Sequence, residues 1–122
     1  MDVRYSPELL QPADRLAQLK DISARLDKAV GPKESAAMKA EWELVRDLRG
    51  DEFYRLTLDD GTDRVSTDFT RFELGVPLHC HVRVHELYGD ILKLRGGRQH
   101  EVVKRLLLEM SAEQEALHGH QN

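Results

Sequence analysis

Cysteine is nearly absent from this sequence, basic residues are outnumbered by acidic ones, and the short motifs that mark an enzyme are missing. Cys80 is the one cysteine, so no intrachain disulfide can form, and a reduced, cytoplasmic protein is expected. Lys and Arg number 18 against 22 Asp and Glu, a net charge of −4, which argues against direct nucleic-acid or anionic-membrane binding. No apolar run approaches the roughly 18 to 20 residues needed to cross a bilayer, and Met1-Asp2-Val3-Arg4-Tyr5 lacks the apolar stretch of a signal peptide. There is no GxxxxGK[ST] loop, no GxGxxG fingerprint and no GxSxG elbow. No carboxylate stands alone in an apolar run, where its pKa would rise. These absences favour a non-catalytic role.

What is present is enough for one folded domain. The 122 residues are 40% hydrophobic, so a single core can form over 1–122. Leu16, Leu19, Ile22, Leu26 and Val30 recur at spacings of three and four, the signature of one helix face, and Gly31-Pro32 ends it. Met38, Trp42, Val45 and Leu48, widened by Ala37 and Leu44, predict a second helix from Lys33 to Arg49, with Gly50 as its cap. Residues 11–50 therefore read as a helical hairpin.

The period then drops to two. Tyr54, Leu56 and Leu58 alternate with Phe53, Arg55 and Thr57, and Asp60-Gly61 favours a tight hairpin. A two-residue loop there would set Leu56 opposite Val65 and Tyr54 opposite Thr67. Leu78, Cys80, Val82 and Val84 also alternate, and Gly89-Asp90 can return that strand into Ile91–Arg95. Residues 51–95 thus read as an antiparallel sheet of about four strands. After Gly96-Gly97, a helix over 98–118 is expected to bury Val102, Val103, Leu106, Leu107, Met110 and Leu117. The predicted fold is α+β, in the order α-α-β-β-β-β-α.

Four constellations are candidates for function. On a strand, His79 and His81 would leave the same face with His85 beyond them, a set suited to zinc or another divalent transition metal. The run His79-x-His81-x4-Glu86 is similar to the metal-ligand run of cupins, but a cupin barrel needs many strands on both sides of it, whereas here about fifty helical residues precede the predicted sheet and a long helix closes the chain. Arg95, Gly96, Gly97 and Arg98, at a strand-to-helix junction, could cradle a small anion or nucleotide with backbone N–H groups and two guanidiniums. Residues 51–75 hold seven acids and three arginines, with Asp59, Asp60 and Asp63 at the hairpin tip and Asp68 and Glu73 nearby, so they would offer negative charge to a basic partner. Finally, the helices carry more apolar surface than their predicted neighbours cover: the stripe around Trp42 is wide, and Leu106, Leu107 and Leu108 cannot all face one side. The reading that joins these is a small acidic protein-binding module, a regulator or inhibitor, that forms a homodimer through its helices and needs no cofactor. Metal binding and anion binding are the two alternatives.

Overall fold

A computed structural model describes residues 1–119 of the chain, with side chains described through residue 112. The fold is α+β with a four-stranded sheet and a C-terminal helix. Strand β1 (Asp2–Tyr5) leads to helix α1 (Ala13–Val30), the short helix α2 (Pro32–Ser35), and strands β2 (Lys39–Arg46), β3 (Glu52–Asp59) and β4 (Arg64–Phe69). A 3-10 turn at Glu73–Gly75 precedes helix α3 (Pro77–Gly119). The strand order is β1-β2-β3-β4. β2, β3 and β4 run antiparallel, whereas β1 pairs in parallel with β2, so the sheet is mixed. The chain forms two compact units, Met1–Ile91 and Leu92–Asn122.

The first unit has one core. Leu19, Ile22, Leu26 and Val30 of α1 pack with Ala40 and Trp42 of β2, Tyr54, Leu56 and Leu58 of β3, and Phe69 of β4. Cys80, Val84, Leu87 and Ile91 of α3 complete it, at spacings of four, three and four. Trp42 is buried and its indole Nε1 donates to Ser23 Oγ at 2.8 Å; Ser23 Oγ in turn donates to the Leu19 carbonyl at 2.8 Å. The hydroxyl thus supplies the acceptor that a buried indole requires. The opposite face of the sheet is mostly polar, apart from the Val45–Phe53 pair at one end. Arg55 and Asp68 pair across β3 and β4 through two bonds of 2.8 and 3.1 Å, and Thr57 shares a hydrogen bond of 2.8 Å with Ser66.

Three predicted elements are corrected. The second helix of the hairpin is strand β2: Ala40, Trp42 and Leu44 alternate with Lys39, Glu41 and Glu43, and pairing on both edges satisfies the extended backbone. Gly50 lies in the β2–β3 turn at φ +84°, where Asp47 Oδ1 accepts from the amides of Arg49 and Asp51 at 2.9 Å each. The two expected strands over 78–95 are instead the opening turns of α3. Cys80, Val84, Leu87 and Ile91 satisfy the helical period with four core residues, whereas the alternating Leu78 and Val82 are exposed. Gly89-Asp90 and Gly96-Gly97 are helical and make no turns.

The β3–β4 hairpin forms as predicted, but with a longer loop. Leu58 faces Val65 and Leu56 faces Thr67, because residues 60–63 make the turn. Asp60 Oδ1 accepts from the amides of Thr62 and Asp63 at 2.9 and 2.7 Å, which fixes the wider loop. The shift is two residues, so the same side chains still face the core.

Candidate functional site

The last helix changes character at residue 92. From Leu92 to Ala112 every residue except Arg95 is exposed. That stretch includes Leu92, Leu94, Val102, Val103, Leu106, Leu107, Leu108 and Met110. The expected burial of Val102, Val103, Leu106, Leu107 and Met110 is therefore not achieved among the described residues, and Leu117 lies beyond the residues whose side chains are described. Leu92, Gly96, Gln99, Val103, Leu106 and Met110 follow spacings of four and three, so they line one stripe, with Val102 and Leu107 at its edges. Leu94 and Leu108 fall on the opposite side. Leu108 is exposed, as a partner-contacting residue must be, whereas Trp42, expected in the same role, is enclosed in the core and cannot reach a partner.

The acids of the hairpin are largely engaged by their own chain. Asp59 Oδ1 accepts from the Gly61 amide at 2.7 Å, Asp60 holds the turn, and Asp63 has a partner as well. Asp68 is tied to Arg55, which raises the pKa of that guanidinium mainly through their hydrogen bond. Glu73 is more deeply committed. The Thr70 amide donates to Glu73 Oε1 at 2.8 Å, and the Glu73 amide donates to Thr70 Oγ1 at 3.1 Å, a reciprocal capping box. The other carboxylate oxygen meets His79 Nε2 at 2.6 Å. Donation from the Thr70 amide is the first cause that holds the Glu73 carboxyl below its ordinary range. The T-x-x-E pattern of Thr70–Glu73 was visible in the sequence and marks where the chain enters its last helix.

The helical backbone also separates the histidines. His79 is fixed to Glu73, while His81 and His85 lie one turn apart with ring centroids at 4.5 Å. The ligand set expected from a strand is not assembled, because residues two apart on a helix leave it in nearly opposite directions. Among the described residues no group of three or more His, Cys, Asp or Glu is placed to hold a metal ion. His81 and His85 instead line an open groove of about 570 Å³ against α1, where Ala24 and Ala29 leave space between Arg25, Lys28 and Asp21. Asp21 and Arg25 pair there at 2.9 Å, and Lys28 adds a positive charge. Cys80, between the two imidazole positions in sequence, points into the core and donates to the Glu73 carbonyl at 3.3 Å; burial pushes its thiol pKa up, the reverse of what a nucleophile needs.

The anion cradle expected at Arg95, Gly96, Gly97 and Arg98 has no structural basis. These residues lie inside α3, where main-chain N–H groups are directed to the preceding turn and are not free to meet a ligand. No helix among the described residues is long and apolar enough to cross a membrane. Neither a protein-family model, nor a curated protein, nor a solved structure matches the chain.

Proposed function

We propose that the chain is a small, non-catalytic protein-binding module, regulatory or inhibitory in action, that self-associates through its last helix. One observation carries this reading: the apolar side chains of Leu92–Met110 are exposed together on one helical segment. An isolated helix of this kind is marginal in water, since most helical stability comes from packing an apolar face. Exposed apolar surface of this extent marks a site of association. The net charge of −4 on residues 51–75 would steer the module toward a basic partner, adding to rate and selectivity more than to affinity. The single buried thiol suits a reduced cytoplasmic setting.

Light scattering at micromolar concentration tests the reading. The expected mass is about 28 kDa, twice the 14.0 kDa of one chain. Val103→Asp with Leu106→Asp should return it to one chain without unfolding the first unit, because neither side chain belongs to its core. A 14.0 kDa species at every concentration would reject self-association.

A further inference from the structure

We infer that residues 92–119 pair with the same segment of a second copy, and that the two helices run antiparallel. The inference rests on the self-association proposed above and adds its geometry. Charge is divided along the segment. Residues 92–105 carry Lys93, Arg95, Arg98, Lys104 and Arg105 against Glu101 alone, whereas 106–119 carry three glutamates and neither Lys nor Arg. A parallel pair would set basic half against basic half and acidic against acidic. Antiparallel pairing sets each basic half against an acidic one, and over a few ångströms that difference decides orientation.

The apolar pattern agrees with the charge. Val103 and Leu106 are near the middle of the segment, so an antiparallel pair stacks the two strongest apolar turns on each other at the two-fold axis. Gly96 and Gln99, the thin and polar layers of the stripe, then face the far end of the partner and not one another. Gly96 leaves that stripe open for a close neighbour. Its backbone is helical with no positive φ, and a Cβ built there would meet nothing within 4 Å, so nothing among the described residues calls for glycine there, as is also true of Gly97 off the stripe. Glycine inside a helix costs roughly 0.5–1 kcal/mol relative to alanine. Close approach of a second backbone on that stripe gives it a use.

The experiment combines mass, distance and charge on the full chain. Leu94→Cys, on the exposed side away from the stripe, carries a nitroxide label, and the unaltered chain, whose one thiol is buried, is the labelling control. At a rise of roughly 1.5 Å per residue, an antiparallel dimer separates the two labels by about 35 Å, while a parallel one holds them at about 20 Å. Lys93→Glu with Lys104→Glu, both beside the stripe, should weaken an antiparallel dimer about tenfold or more at low salt, with the loss shrinking as salt rises. A parallel dimer, already like against like, would not weaken. A 28 kDa species with the long distance and the salt-dependent loss supports the inference. The same mass with the short distance, or with an unweakened charge variant, overturns the antiparallel geometry and leaves self-association standing. A single-chain mass at all concentrations overturns both.

Discussion

Residues 77–91 and 92–112 belong to one helix, yet they have opposite relations to water. The first stretch buries Cys80, Val84, Leu87 and Ile91 against α1 and the sheet, and leaves Leu78 and Val82 exposed among polar residues such as Asp90 on its other sides. The second is as rich in leucine and valine but buries none of them. Helical periodicity is therefore a statement about which side chains share a face, and not about whether that face is covered. Coverage depends on what else is present, and for the second stretch none of the described residues supplies it.

Matched truncations in the two stretches have the largest expected effects. Leu87→Ala should destabilise the first unit by about 2–5 kcal/mol, the cost of deleting a fully enclosed leucine and leaving a cavity. Leu106→Ala, measured at a concentration where the chain is monomeric, should change the unfolding free energy by less than about 0.5 kcal/mol. Chemical denaturation reads both. A large loss at Leu106 in the monomer would mean that the second stretch is packed against its own chain, and the contrast between the two stretches would fail.

The sequence made half of this legible. Leu19, Ile22, Leu26 and Val30 marked α1 because only a helix brings them together, and Tyr54, Leu56 and Leu58 marked β3 because only a strand does. Where a segment satisfied both periods, local pattern could not decide. Met38, Trp42 and Val45 fit a helix, but Ala40, Trp42 and Leu44 fit a strand, and two neighbouring strands settled the choice. Leu78 to Val84 alternate, yet Cys80, Val84, Leu87 and Ile91 also mark a helix. The candidate site was legible in one respect: three consecutive leucines, 106 to 108, cannot share a face. It is not legible in another: the pattern predicts that the terminal helix packs on the sheet and buries Val102, Val103, Leu106, Leu107 and Met110, yet all five are exposed.

A smaller effect sharpens the entry to α3. Glu73→Ala removes the acceptor of the Thr70 amide and the partner of His79, and should cost about 1 kcal/mol near neutral pH. In the folded protein the Glu73 carboxyl titrates below its ordinary 4.5. Its contribution is therefore full above that ordinary value and is lost as pH falls through the lower, folded-state value. The stability gap between the unaltered chain and Glu73→Ala, read by thermal melts at stepped pH, should narrow across that window. A gap that stayed constant to the lowest pH would assign the loss to the missing side-chain methylenes and not to the carboxylate.

The smallest effect is local, and it tests the second stretch by itself. Gly97 is helical, and a Cβ added there would meet nothing within 4 Å. It falls away from the centre of the Leu92–Met110 stripe, so Gly97→Ala changes intrinsic helix preference without intruding on the stripe. The gain is roughly 0.5–1 kcal/mol in favour of the helical state of that stretch. Because none of those side chains contributes to the core of the first unit, global unfolding should not move. The change should appear in amide hydrogen exchange, as slower exchange across residues 93–105 and unchanged rates in β2 and β3, since local opening is governed by local free energy. Slower exchange throughout the sheet would show that the two stretches open as one cooperative unit, and their different relations to water would then have no counterpart in stability.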